Sequence, residues 1–210
     1  MGKWTAPALS FRDLTGPEDA ASRVFRNLPT LETPRLTLRK LRMRDAEDVY
    51  SWSRDPDVAR YVLWTAHQNV RETREYIRYV RSLYRRGLPS SWGIELKETG
   101  RVIGTMGVMA WIPEYRVAEV GYSLGKKWWR QGYAAEALSA LMDLMFDEMR
   151  INRVEGQCDV RNPASGRVME KCGMRREGLL RQRVRNKGEA VDVLLYAALA
   201  EDRKPKKTDR

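Results

Sequence analysis

An α+β domain is predicted by two periodicities in the chain and by the order in which they occur. Short runs alternate apolar and polar residues, as half-buried strands do, while longer segments repeat apolar residues every three to four positions, as helices packed on a sheet do. Three strand-like runs also follow one another directly between residues 91 and 124, joined by turn sequences that read as hairpins. The resulting order is β-α-α-β-β-β-α-β-α-β-β.

Residues 1–30 hold Pro7, Gly16, Pro17 and Pro29 with room for a short helix at 19–27. They are set apart as an N-terminal extension that could cover an edge, mediate dimer contacts or be partly mobile. The domain is expected over 31–202, with a basic tail at 203–210. Its first strand is the alternating run 36–41, after which Asp45 is placed to cap a helix reaching about residue 53. A second helix, 70–84, carries Ile77, Val80 and Tyr84 on one face and stops at Gly87. Strands follow at 91–97, 102–112 and 117–124, separated by Glu98-Thr99-Gly100 and Pro113-Glu114-Tyr115. In the helix 133–149, Ala134, Leu138, Leu141, Met142, Met145 and Met149 form a buried stripe whose methionines read as core filling. A strand at 153–160, a helix at 162–172 and strands at 174–181 and 190–199 complete the order.

At 210 residues with 42% hydrophobic content, the chain suits one packed domain plus an appendage. No run of eighteen apolar residues occurs and the first residues lack a signal peptide's apolar stretch, so a cytoplasmic protein without a membrane partner is expected. Cys158 and Cys172 are the two cysteines, read as reduced thiols. His67 is the sole histidine, which argues against a His-rich metal site; no metal is expected. Chemistry must then rest on carboxylates, hydroxyls, backbone groups and a cosubstrate. The net charge of +11 is spread over Arg35 to Arg44, over Arg71, Arg74, Arg78, Arg81, Arg85 and Arg86, and over the C-terminal tail. Such a spread can steer polyanions or simply form a solvated basic surface, and no RNA-reading motif accompanies it.

The most informative stretch is the strand Ala118-Glu119-Val120-Gly121-Tyr122-Ser123-Leu124, running into Trp128-Trp129-Arg130-Gln131-Gly132-Tyr133-Ala134 and then directly into a helix. A tight turn there aims the unpaired N–H groups of the helix start, at the positive end of its dipole, at one point in space. About thirty residues later comes Asn162-Pro163-Ala164-Ser165-Gly166-Arg167-Val168-Met169-Glu170-Lys171-Cys172-Gly173-Met174. Together these segments resemble the acyl-CoA-binding motifs of the GNAT superfamily of N-acetyltransferases. Gly132 and Ala134 match the R/Q-x-x-G-x-G/A loop, with Trp129 where Arg or Gln usually stands. Asn162, Ser165, Lys171, Gly173 and Met174 match the second pattern. Ala-Glu-Val-Gly-Tyr before the loop and Gly-Tyr-Ala-x-Glu-Ala within it resemble the ribosomal-protein alanine N-acetyltransferase (RimJ/RimL-like) branch. The likeness spans about 33–202.

This resemblance implies the GNAT fold, a mixed and mostly antiparallel sheet flanked by helices, with parallel strands that splay where the cosubstrate enters. It implies acetyl-CoA as cosubstrate and a primary amine as acceptor, with the N-terminal α-amine of a ribosomal protein favoured. A small-molecule amine is a second acceptor class. A third reading is an inactive GNAT-like protein that binds RNA or associates with the ribosome. Monomer and homodimer both remain open. In the family's terms Arg130, Gln131, Gly132, Tyr133 and Ala134 cradle the pyrophosphate. Val120, Gly121, Tyr122, Ser123 and Leu124 meet the pantetheine arm and polarise the acetyl carbonyl, with Asn162 alongside. Glu119 is the expected base, Glu95 and Glu114 its rivals, against a purely structural Glu119 paired with an Arg. The superfamily's usual Tyr, four residues beyond Ser165, is Met169 here. That leaves Ser165 as a donor to the departing thiolate, against a reading in which its hydroxyl merely stabilises the helix. Trp64, in the irregular stretch 62–69, and Trp111 are placed in the acceptor cleft.

Overall fold

The computed structural model describes residues 20–203, so the first nineteen residues of the expected extension and the tail beyond Arg203 lie outside it. In chain order the elements are α1 (Ala20–Arg26), β1 (Leu31–Glu32), β2 (Leu36–Arg39), α2 (Ala46–Ser53), α3 (Pro56–Ala59) and α4 (Val70–Arg86). Then come β3 (Ser91–Leu96), β4 (Arg101–Ile112), β5 (Val117–Leu124), α5 (Tyr133–Asp143), β6 (Arg153–Asp159), α6 (Pro163–Lys171), β7 (Arg175–Asn186) and β8 (Glu189–Leu199). The eight strands form one sheet in the order β1-β2-β3-β4-β5-β6-β8-β7. Every pair is antiparallel except β5 with β6. The mixed, mostly antiparallel sheet expected from the sequence is therefore present. No helix among the described residues is long and apolar enough to cross a membrane.

Local sequence accounts for most element ends. Asn69 accepts from the Glu72 N–H (3.1 Å) while Glu72 reaches back to the Gln68 N–H (2.8 Å), so the first turn of α4 is satisfied from both sides. Gly87 ends the helix at φ +63°, a left-handed conformation that glycine adopts without Cβ strain. Ile77, Val80 and Tyr84 are buried on the face predicted for them. The Tyr84 hydroxyl accepts from the Leu41 N–H (3.1 Å) and donates to the Ser91 carbonyl (2.5 Å), tying α4 to two neighbouring segments.

Three expectations need correction, and the second part of the N-terminal segment can be placed. Asp45 makes no side-chain cap for α2, which follows a short 3₁₀ turn at Met43–Asp45. Its carboxylate is taken by the Arg42 N–H (2.7 Å) and by Arg39, whose side chain is only 8% exposed and also pairs with Glu95. A buried cation must find counter-charge, and that demand outweighs a helix cap. The helix starting at Tyr133 changes at Leu144–Glu148 into a wider π turn, where Leu144, Met145 and Phe146 are buried in succession. β7 runs on to Asn186, beyond the predicted Arg181, because it is an edge strand. Its Arg181, Gln182, Arg183 and Arg185 are exposed, so the hydrophobic alternation disappears while pairing with β8 continues through a bulge. Finally, α1 buries Ala21 and Phe25 against α4 and the π turn, and Trp92 donates its indole N–H to the Pro29 carbonyl (2.8 Å). Residues 20–30 thus belong to the packed body.

Candidate active site

The parallel pair β5–β6 stays in register only from Val117–Arg153 to Val120–Gly156. Beyond that point Gly121–Leu124 pairs with β4 alone and Gln157–Asp159 with β8 alone, so a wedge opens between two strands that began side by side. One edge of β5 is left there without a partner strand. A cleft of about 530 Å³ occupies this opening, walled by Tyr122 to Leu124, by the start of α5 and by the start of α6.

The turn expected to cradle phosphate lies on the α5 side. Arg130 (φ +63°) and Gly132 (φ +85°) are both left-handed, and they fold the turn back so that Gly132 sits at the helix N-cap. The first bond of α5 runs from the Glu136 N–H to the Gly132 carbonyl (3.0 Å), which leaves the N–H groups of Tyr133, Ala134 and Ala135 without a helical partner. A Cβ at Gly132 would meet only the tip of Arg35 at 3.3 Å, so the positive φ by itself accounts for glycine there. Trp129, at the position of the family's Arg or Gln, donates its indole N–H to the Leu124 carbonyl (2.6 Å) and pins the turn to the end of β5.

The cradle's charge is managed by residues that local motifs do not reveal. Glu136, in the first turn of α5, would oppose an anion, but Arg35 pairs with it at 2.7 Å and Thr33 donates to it at 2.6 Å. Burial pushes the Glu136 carboxyl up, yet these bonds from Thr33 and Arg35 hold it below its ordinary value. Arg35 also donates to the Gln131 carbonyl (3.0 Å) and lies 4.4 Å from the centre of the buried Tyr133 ring. The Gln131 side chain turns outward to the Lys127 carbonyl (2.9 Å). Unpaired helix N–H groups in a cleft lined by Arg130, Arg161, Arg167 and Lys171 suit a phosphorylated ligand such as coenzyme A.

On the opposite wall Asn162 caps α6, accepting from the Ser165 N–H (3.3 Å), so its side chain serves the helix start. Ser165 faces the cleft, and its hydroxyl lies 2.9 Å from that of Tyr122. Met169 is buried against Gly156, where β6 leaves β5, and has no polar atom to offer the cleft beyond a thioether.

Glu119 stands on the other face of β5, across from Ala110 of β4 and Glu155 of β6. Glu155 is matched by Arg153 (2.6 Å), which in turn holds Glu177. Among the described residues Glu119 has one hydrogen-bond partner, the Gln157 amide at 3.4 Å. Burial and, after it, the nearby Glu155 raise its proton affinity, partly opposed by Arg183. The rival carboxylates are placed otherwise: Glu95 is bound to Arg39, and Glu114 lies in the exposed turn Pro113–Tyr115.

Neither tryptophan expected at the acceptor cleft lines the opening between β5 and β6. Trp64 packs inward, 6.4 Å from Trp52 and 5.6 Å from His67 between ring centres, because the core offers an aromatic niche there. Tyr61 and Val62 line the cleft instead. Trp111 lies across from buried Ala118 and packs on the core, not on the Glu119 face. His67 is fixed by Ser53 (2.9 Å) and Thr73 (2.8 Å) and reads as structural. Cys158 and Cys172 are unbonded thiols, the former pushed up to about 11 mainly by burial.

Comparison with known proteins agrees with this geometry. The chain is 35% identical over 172 residues to the uncharacterized N-acetyltransferase p20 of Bacillus licheniformis, covering 82% of this chain and 97% of that protein. It is 30% identical over 132 residues to the ribosomal-protein-serine acetyltransferase of Escherichia coli (strain K12), covering 63% and 73% of the two. A GNAT-family acetyltransferase structure from Bacillus anthracis superposes with a TM-score of 0.74 at 28% identity, over 82% of this chain and 99% of that one. Residues 35–175 match the acetyltransferase (GNAT) domain family, and the chain belongs to it.

Proposed function

We propose that this acetyltransferase moves the acetyl group of acetyl-CoA onto a protein N-terminal α-amine, a ribosomal protein's being the favoured one. The observation that carries the acceptor class is the openness of the sheet face around Glu119. Its cross-strand neighbour Ala110 and the bulged Met109 beside it are exposed, Met109 to 52%, and the described residues build no enclosed acidic pocket there. A small cationic amine is bound best by an enclosed pocket, whereas a chain terminus needs an open approach. The ribosomal-protein-serine acetyltransferase among the relatives points the same way.

The mechanism follows from the two walls. The Arg130–Ala134 turn holds the pyrophosphate, and the unpartnered edge of Gly121–Leu124 offers backbone N–H groups to the pantetheine and the acetyl carbonyl. A preorganised donor at a developing oxyanion is worth on the order of a hundredfold or more in rate. Glu119 takes a proton from the ammonium, directly or through water, and its raised proton affinity brings it nearer to the amine's. The amine nitrogen then attacks the carbonyl carbon, the carbon–sulfur bond breaks with its electron pair going to sulfur, to which Ser165 donates a hydrogen bond, and the second proton of the attacking nitrogen passes through water to the released thiolate.

The test is thiol release from acetyl-CoA across N-terminal peptides and small amines. Peptide substrates should exceed small amines by at least about tenfold in kcat/KM, a difference of roughly 1.4 kcal/mol in transition-state binding. Equal or better turnover of small amines would overturn the acceptor assignment.

A further inference from the structure

We propose that Tyr122 is a positioning residue for the leaving group, holding the Ser165 hydroxyl as a donor toward the thioester sulfur and so filling the role that Met169 leaves vacant. The inference rests on the acetyl-transfer reading above and deepens it.

The argument begins with proton counting. The Tyr122 hydroxyl lies 2.9 Å from both the carbonyl and the hydroxyl oxygen of Ser165, and it carries one proton. If that proton goes to the Ser165 carbonyl, the serine hydroxyl can rest against the phenol oxygen or turn into the cleft. If the phenol instead donates to the serine oxygen, the serine proton must point away from Tyr122. Both oxygens border the cleft, so that direction is toward the thioester end. As charge develops on sulfur, the second arrangement gains, because each bond in a chain of hydroxyls polarises the next. No proton leaves Tyr122 in this scheme: it supplies a hydrogen bond, and the proton count of the reaction is unchanged.

The two residues come from elements that the fold holds rigidly. Tyr122 stands on β5 just past the point where β6 diverges, and Ser165 is in the first turn of capped α6. The phenol thus spans the wedge at its narrow end, close to where the two parallel strands separate. Burial, more than any neighbour, lifts the phenol above its ordinary pKa, so it remains a donor across the working pH range. Its structural alternative is a simple tie between β5 and α6, and the experiment must separate the two roles.

The experiment is a double-mutant cycle of Tyr122→Phe and Ser165→Ala, with kcat and the KM for acetyl-CoA measured at saturating peptide, and coenzyme A affinity and thermal unfolding followed in parallel. Tyr122→Phe should lower kcat about tenfold while KM stays within about twofold, the effect of one lost hydrogen bond at a developing charge. In the Ser165→Ala background it should change kcat by less than about twofold, since the group it positions is gone. Penalties that multiply in the double mutant would overturn the inference. So would an unchanged kcat in Tyr122→Phe, or a kcat loss that only tracks weaker coenzyme A binding and a lower melting temperature. A 3-fluorotyrosine at position 122, which keeps ring and hydroxyl, guards against a Phe variant that does not fold. Its more acidic hydroxyl is the stronger donor, so it should raise kcat at unchanged coenzyme A affinity, and a kcat that stays at or falls below the wild-type value would also overturn the proposal. Wild-type protein that releases no thiol with any amine would remove the acetyl-transfer reading itself, a result distinct from all of these.

Discussion

Gly132→Asp isolates the cradle because its effects on folding and on ligand binding can be separated. At φ +85° a non-glycine residue is strained by roughly 1–2 kcal/mol. The new Cβ would meet only the flexible tip of Arg35 at 3.3 Å, so no steric cost adds to this. An aspartate at an N-cap recovers a few tenths of a kcal/mol relative to glycine, leaving a net fold penalty of about 1 kcal/mol. Binding suffers differently. The carboxylate would compete for the free N–H groups of α5 and would face the pyrophosphate at close range. Two like charges about 4 Å apart repel by about 1 kcal/mol in water and about 4 kcal/mol near a protein surface, so affinity should fall between roughly fivefold and a thousandfold. Calorimetric titration with coenzyme A reads the loss, and thermal unfolding verifies the fold. Gly132→Ala serves as control, since it carries the strain without the charge. The excess loss in the Asp variant should shrink as salt rises. Coenzyme A affinity equal in the folded Asp and Ala variants would show that the phosphates lie elsewhere.

Three further outcomes are expected. Because burial and Glu155 raise the Glu119 pKa, the acid limb of the kcat/KM profile should lie above the ordinary carboxylate range; Glu119→Gln should slow the reaction near neutral pH and recover toward the amine's own pKa, whereas a deficit constant over that range would make Glu119 a positioning group. Arg35→Ala should weaken coenzyme A binding several-fold by leaving the Glu136 charge at the cradle, and adding Glu136→Gln should restore much of it; no recovery in the double variant would refute the charge-masking role. Asp45→Asn should destabilise the fold by about 3–5 kcal/mol in denaturant unfolding, because Arg39 is buried; a loss below 1 kcal/mol would mean that Glu95 alone satisfies that guanidinium.

How much of this was legible depended on the sequence separation of the partners. Gly132, Asn162 and Ser165 lie in short segments whose turn and cap chemistry is local, and the helix starts expected at those segments are present, with the Asn162 side chain serving as a cap. The wedge was implied by family likeness, yet its root is visible only in the register that ends at Val120 and Gly156. The Tyr122–Ser165 contact spans 43 residues and Arg35–Glu136 spans 101, and no periodicity records either. The Trp64 ring meets His67 within its own irregular stretch and Trp52 on α2, and no periodicity in the sequence records either contact. Asp45 went wrong for a related reason: its cap signature is local, but the buried Arg39 that claims it depends on the sheet.

The pleat of β5 gives one strand both halves of the chemistry. Successive side chains alternate between faces, so Glu119 and Tyr122, an odd number of residues apart, must point to opposite sides of the sheet. Tyr122 meets Ser165 under α6, on the side where the cradle lies, and Glu119 faces the open side with Ala110. In the proposed mechanism the base and the leaving-group donor are thereby separated by the thickness of the sheet, with the wedge between them as the passage. That separation has a chemical use. Glu119 bonded to Ser165 would only exchange a proton with it, whereas on opposite faces each can act on its own bond, one at nitrogen and one at sulfur. Insertion of one residue between positions 119 and 122 would turn both groups to the same face, and it should abolish turnover even where β5 still pairs with β4 and coenzyme A still binds.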